Sequence, residues 1–320
     1  MKGRKRWIGI GIAGAAVALS LLNASWIAPT PSGKLILVAH RGIAQPLSED
    51  AGTGPCAATR IRAPEDNLYI ENTLPALNRA ARLGAGAIAG DVQRTRDGHL
   101  VLFADRALDC RTNGKGPLRD KTLAELKALD VGYGYTPDNG KTYPLRGRGI
   151  GGMPTVEEAL REVSSKRLIF NFLDDDAADA DALLAAFSRT GLKLDTRYGF
   201  HGAPAPLARL KTLAPQAWTF SRSAPGPCLA DYTKLGWTGF VPGSCRGATV
   251  SLPLDAQWTL WGWPNRFQSR MASADARLIM FGPAAAQGIT APEQLDAVPR
   301  DYRGYLWIED FYTVGRALGR

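Results

Sequence analysis

Histidine is scarce in this chain: three residues in 320, at positions 40, 99 and 201. A site needing several histidine ligands, or a pair of histidine acid–base groups, is thereby close to its limit. Cysteine is sparse too, and the four present (Cys56, Cys110, Cys228 and Cys245) form no CxxC pair, which argues against a zinc site. No glycine-rich phosphate turn follows the first apolar run, against a doubly wound nucleotide-binding sheet. Clustered basic charge is missing beyond the N-terminus. The net charge is +9, from 39 basic against 30 acidic residues, but four of the basic ones (Lys2, Arg4, Lys5 and Arg6) fall in the first six positions. The remainder carries 35 against 30, with no patch, so no nucleic-acid partner is expected. The 35 glycines and 21 prolines follow no period, and there are no internal repeats. Hydrophobic residues at 45% and charged residues at 22% exclude a disordered chain and fit one large domain better than two small ones.

What is present begins with a long apolar run. Trp7–Ile27 contains no charge and only Ser20, Asn23 and Ser25 as polar interruptions, and as a helix it would rise about 30 Å. With Lys and Arg ahead of it, residues 1–30 are expected to anchor the chain in the inner membrane, leaving residues 31–320 in the periplasm. The competing reading is a cleaved signal segment and a secreted protein. Leu22-Asn23-Ala24-Ser25-Trp26 is a poor cleavage site, which favours the anchor. Disulfides suit an oxidising compartment. Of the three possible pairings, Cys56–Cys110 and Cys228–Cys245 are expected, because each pair flanks one loop-rich region.

From Leu35 onward short apolar runs alternate with helical patterns. Strands are expected at 35–39, 87–93, 168–172, 198–201, 217–220, 248–252, 277–281 and 304–308; the first, Leu35–Ala39, is a continuous apolar run, as expected of a strand buried on both faces. Helices are expected from Asn72 or Thr73 to Leu83, and over Thr122–Leu129, Thr155–Val163 and Ala177–Phe187. Eight strands alternating with helices predict a (β/α)8 TIM barrel. Two long interruptions, Ile43–Ile70 and Arg106–Met153, would then project from the face where barrel sites are built.

The polar residues at the strand ends fall in a definite order. His40-Arg41-Gly42 ends the first strand and Glu71-Asn72-Thr73 opens the first helix. Asp91 lies in Gly90-Asp91-Val92-Gln93-Arg94-Thr95-Arg96-Asp97-Gly98; Arg111-Thr112-Asn113-Gly114 and Pro154-Thr155-Val156-Glu157-Glu158 follow. From His40 to about Phe172 this order resembles the glycerophosphodiester phosphodiesterase family. The resemblance implies a barrel of the phospholipase C-like phosphodiesterase type, with a small insertion after the second strand, here about 106–153. It implies hydrolysis of a glycerophosphodiester or related lipid-derived diester, with one divalent cation such as Ca²⁺ or Mg²⁺. A phosphodiester repels nucleophiles, so cationic groups must neutralise it while an acid and a base move protons. By resemblance His40 is catalytic, Arg41 clamps the phosphate, Asp91 is a metal ligand, and Glu71 lies near the metal shell.

The sequence departs from that pattern at three places. The family's Glu-x-Asp pair reads Ala89-Gly90-Asp91, its second histidine is Ala104, and its third-strand Glu is Asn171. Asn171 still offers a neutral oxygen to a substrate or cation, and His201 ends the fourth expected strand as a further substrate-binding candidate. Asp174, Asp175 and Asp176 are possible replacement ligands, though such a run more often caps a helix. His99, in a turn, reads as surface. Trp258–Arg270 is a candidate lining for a lipid-like moiety, most such aromatics being core. The reading that follows is a family-type phosphodiesterase of weak or metal-altered activity. The alternative is an inactive barrel that binds a phosphate, a lipid head group or a partner.

Overall fold

The computed structural model describes residues 10, 14, 16–222, 226–283 and 288–318. The chain divides into two compact units, each assembled from separate stretches of sequence. Because both are discontinuous, no linker marks their boundary along the chain.

The larger unit comprises residues 37–221, 288–292 and 307–320. Its elements in chain order are β1 (Leu35–His40, from Leu37), α1 (Leu74–Arg82), β2 (Ala87–Arg94), β3 (Leu100–Leu102), α2 (Leu123–Lys127), α3 (Val156–Glu162), β4 (Arg167–Phe172), α4 (Ala178–Thr190), β5 (Tyr198–Gly202), α5 (Pro204–Leu213) and β6 (Trp218–Thr219). Strands β1, β2, β4, β5 and β6 are parallel neighbours in the order β6-β5-β4-β2-β1. β2 is buried along nearly its whole length, as parallel strands covered on both faces must be. β3, not among the expected strands, turns back antiparallel on β2, pairing Val92 with Leu102. Asp91, Asn171 and His201 stand opposite one another on β2, β4 and β5. Their side chains therefore share one face of the sheet.

The helices start where capping chemistry allows. Thr155 accepts from Glu158 N while the Glu158 side chain accepts from Thr155 N, a complete capping box for α3. Thr122 and Glu125 do the same for α2. α4 ends at Gly191, whose φ of 70° suits the left-handed position after a helix.

The stretch 106–153 is not structureless. Leu108, Leu118, Leu126, Val131, Tyr135, Leu145 and Met153 bury themselves with Ile61, Ile70, Val101 and Phe103 in a core of their own. The Cys56–Cys110 disulfide ties the two long interruptions together.

The smaller unit comprises residues 1–36, 222–287 and 293–306. It holds α6 (Pro227–Leu235), β7 (Thr249–Pro253), α7 (Asn265–Ser273), β8 (Arg277–Phe281) and β9 (Gly304–Ile308, to Leu306), with β7, β8 and β9 parallel in that order. The Cys228–Cys245 disulfide joins α6 to the short turn Gly243–Cys245. The last helix, α8 (Phe311–Leu318), returns to the larger unit. Much of the expected membrane segment lies outside the described residues. Among the described residues no helix is long and apolar enough to cross a membrane.

Candidate functional site

The site lies wholly within the larger unit, where the end of β1 meets the turn before α1. Arg41 and Asn72 both adopt left-handed backbone, with φ of 59° and 58°. This lets Asn72 N donate to Arg41 O at 2.9 Å, and Asn72 Oδ1 accept from Asp91 N at 3.3 Å. The His-Arg-Gly and Glu-Asn-Thr runs are thus locked to each other and to β2. Gly42 is required beside them: its φ is 75°, and a Cβ there would meet the Ala76 backbone at 2.8 Å.

Asp91 is fully buried and both its oxygens are engaged. Oδ2 accepts from Arg41 Nε and Oδ1 from Asn171 Nδ2, each at 2.6 Å. Burial alone would raise its pKa, but the charge on Arg41, the nearby His40 and the Asn171 hydrogen bond hold it down at about 2. Burial likewise opposes the charge on Arg41, and Asp91, Glu71 and Glu309 outweigh it, so this guanidinium stays charged. Only Arg41 Nε is committed to a close carboxylate bond; its Nη1 is 4.0 Å from Glu71 Oε1, and the side chain retains 22% exposure. Donors therefore remain for an incoming anion.

A second guanidinium lies deeper. Arg111 is buried and donates from Nη1 to Glu71 Oε1 and to the Tyr135 hydroxyl, and from Nε to Asp105 Oδ2 at 2.9 Å. Burial works against its charge, but Glu71 and Asp105 hold its pKa well above the ordinary value. Burial pushes the Tyr135 phenol up. Glu71, a candidate for the substrate or metal neighbourhood, is thus the counter-ion of Arg111.

His40 is buried against Trp307, with ring centroids 5.3 Å apart, and its Nδ1 lies 2.8 Å from Glu309 Oε1. An ionised carboxylate only accepts, so a neutral His40 carries its proton on Nδ1 and its lone pair on Nε2. Nε2 has no hydrogen-bond partner. His201 packs on the same indole at 5.6 Å and on Phe220 at 5.1 Å. His40, Arg41, Glu71, Asp91, Asn171 and His201 therefore come together in one neighbourhood. Reasoning from sequence missed the roles of Glu309, Trp307, Arg111, Asp105 and Tyr135. Glu309 did carry a signal, since it follows the apolar strand Gly304–Ile308 as His40 ends Leu35–His40.

The remaining candidates serve structure. Asp174 and Asp176 pair with Arg106, Arg94 and Arg119, and Asp175 accepts from Ala205 N at 2.7 Å. His99 N donates to Thr95 Oγ1 in a turn. Trp258 and Trp261 are exposed rather than core.

A divalent cation does not fit the residues present. It needs several oxygen donors free to converge, and among the described residues no group of three or more His, Cys, Asp or Glu could hold one. Ala89 brings no oxygen to the buried face of β2 and Asn171 only a neutral one. Asp91 would have to release a guanidinium or an amide to accept a metal.

Against this geometry the comparisons with known proteins agree. The profile of the glycerophosphoryl diester phosphodiesterase family matches residues 52–182. A glycerophosphodiester phosphodiesterase of Caldanaerobacter subterraneus subsp. tengcongensis is 51% identical over 65 residues, 20% of this chain and 27% of that protein. One from Bacillus subtilis is 37% identical over 94 residues, 28% of this chain and 30% of that protein. The chain thus spans about a third of the length of the curated relatives it matches. Among solved structures, an Oleispira antarctica phosphodiesterase in complex with the product sn-glycerol-3-phosphate superposes with a TM-score of 0.58 at 18% identity, covering 93% of this chain and all of that one. At these identities the likeness establishes the fold: parallel strands and helices in a TIM-barrel-like α/β arrangement. Motif order and family profile agree over residues 52–182, and this part of the chain is similar to the glycerophosphodiester phosphodiesterase family.

Proposed function

We propose that the chain is a phosphoric diester hydrolase for glycerophosphodiesters or related lipid-derived diesters, working slowly and with a guanidinium where its relatives use a metal. The observation that carries this reading is the His40–Glu309 pair with Arg41 beside it. A carboxylate that fixes the Nδ1 proton and leaves Nε2 unpartnered is the arrangement a general base needs. In this account Arg41 holds the phosphate oxygens. His40 Nε2 takes a proton from an attacking water as the water oxygen bonds to phosphorus and the bond to the alcohol breaks, the departing alkoxide taking its proton from solvent. Ala104 has no group to protonate the departing alkoxide, and loss of a general acid typically costs about 10²–10⁴-fold.

This predicts a strong dependence on the leaving group. Bis(p-nitrophenyl) phosphate, whose leaving group needs no proton, should be cleaved at least about 10²-fold faster than glycerophosphocholine. The rate should be unchanged by EDTA and lost in His40→Asn and Glu309→Gln. Equal rates on both substrates, or turnover that appears only with a metal, would overturn the reading. Saturation of Asp91 by Arg41 and Asn171 favours a second reading, an inactive barrel that binds a phosphate or a lipid head group. Binding of glycerol 3-phosphate with no turnover of either diester would establish it.

We also place the chain outside the cytoplasm. Two disulfides support an oxidising compartment. The Trp7–Ile27 run, with its basic flank, would hold it in the inner membrane facing the periplasm, or be removed on secretion.

A further inference from the structure

We propose that the smaller unit carries a face that lies on the surface of a lipid bilayer, beside the point where the N-terminal segment leaves it. The proposal rests on the anchored reading above. Its observations lie entirely within that unit.

Large apolar side chains are exposed there in a group. Trp26 and Trp258 are each 80% exposed, Phe240 is 57% exposed, and Trp237, Trp261 and Leu235 are also open to solvent. A lone exposed tryptophan needs no explanation, but several from adjoining segments do. The segments are stitched together. Asn23 Nδ2 donates to Trp237 O at 2.7 Å, Tyr232 Oη to Trp261 O at 2.8 Å, Trp261 Nε1 to Thr233 O at 3.0 Å, and Asn265 N to Ser25 Oγ at 2.8 Å. Trp258 Nε1 is satisfied by Asp255 O at 2.8 Å. The Trp258 and Trp261 indoles are thus held by their N–H groups while their rings remain exposed. Tryptophan set this way suits the interfacial layer, where one edge is apolar and the other wet.

What fixes the lipid as occupant is the chain that enters this patch. Helical residues 16–23 present Val17, Leu19, Leu21 and Leu22 to solvent and end at the patch. Ahead of them the sequence carries the uncharged run from Trp7 and the cluster Lys2, Arg4, Lys5 and Arg6. The junction is rigid. Arg270, itself buried, donates to Leu22 O at 3.0 Å and to Asn23 Oδ1 at 3.0 Å, and also to Tyr232 Oη at 2.8 Å and Gly236 O at 3.0 Å. One guanidinium therefore caps the C-terminal end of residues 16–23 and the end of α6 together, where a cation is favoured. A segment held so firmly brings the tryptophans to the same bilayer it enters. Lys234, exposed on α6, adds a charge for anionic head groups.

The test uses the full chain reconstituted in phosphatidylcholine–phosphatidylglycerol vesicles, with and without lipids brominated near the head group. Flotation reports the anchor; bromine quenching of tryptophan fluorescence reports the docked face. We expect flotation, strong quenching in the wild type, and loss of most of that quenching when Trp26, Trp237, Trp258 and Trp261 are all replaced by Phe. Flotation with equal quenching in wild type and variant would leave the anchor standing and overturn the docked face. In that case a dimer by sedimentation in detergent would assign the patch to a second copy of the chain. Failure to float would overturn the anchored reading and this proposal with it.

Discussion

At the residue scale, the function proposed above exchanges one kind of cation for another. Asp91 is the single acidic member of the expected second-strand pair that remains, and it holds Arg41 in place. Neutralising Asp91 takes from Arg41 its closest carboxylate, but Glu71 remains 4.0 Å away and the side chain is 22% exposed, so the cost falls at the lower end of the range for a broken buried pair, about 3 kcal/mol. Asp91→Asn should therefore lower stability by about that amount in chemical denaturation. The pH dependence has a definite sign. Asp91 titrates at about 2 in the fold and near 3.9 in an unfolded chain. Its contribution, about 2–3 kcal/mol, is fully present above about pH 5 and disappears as pH falls through 4 toward 1. Wild-type stability should fall across that window, and Asp91→Asn should flatten the fall; an unchanged slope would remove the pair from the account. His40, Arg41 and Asp91 were legible in the sequence because each lies in or just after an apolar strand within a short motif. Glu309 was not, because it reaches His40 across 269 positions. Only the folded chain brings an isolated Glu to one particular histidine.

At the element scale, all eight expected strands are present, from Leu35–His40 to Gly304–Ile308, within a residue or so of the expected bounds. Parallel strands buried on both faces advertise themselves as unbroken apolar runs. Capped helices were nearly as readable. Thr155→Ala removes one half of the α3 capping box, and should cost about 1 kcal/mol in thermal or denaturant unfolding without changing catalysis. The region 106–153 was harder to read. Outside the helix expected over Thr122–Leu129, its apolar residues are spaced singly among glycines and charges, and they find their partners in Ile61, Ile70, Val101 and Phe103. β3 is only three residues long, too short to stand out as a strand although it lies in the unbroken apolar run Leu100–Ala104.

At the scale of the whole molecule, the two disulfides each act within one unit: Cys56–Cys110 in the larger and Cys228–Cys245 in the smaller. In the chain-entropy view the loops they close, with separations of 54 and 17 residues, stabilise by about 4 and 3 kcal/mol. Replacing Cys56 and Cys110 by Ser should lower the unfolding free energy of the larger unit by up to about 4 kcal/mol and loosen the turn that carries Arg111, whose side chain pairs with Glu71. That loss would be read as weaker glycerol 3-phosphate binding as well as a lower midpoint. The central claim is that guanidinium groups, chiefly Arg41, supply the positive charge for a phosphate ligand in this chain. Isothermal titration calorimetry of the intact protein tests it most directly, with Ca²⁺ and Mg²⁺ in one series and glycerol 3-phosphate with and without EDTA in the other. The account predicts no site-specific heat from either cation, and phosphate binding that EDTA leaves unchanged and Arg41→Gln removes. Stoichiometric cation binding abolished by Asp91→Ala, with phosphate binding that requires the cation, would contradict it.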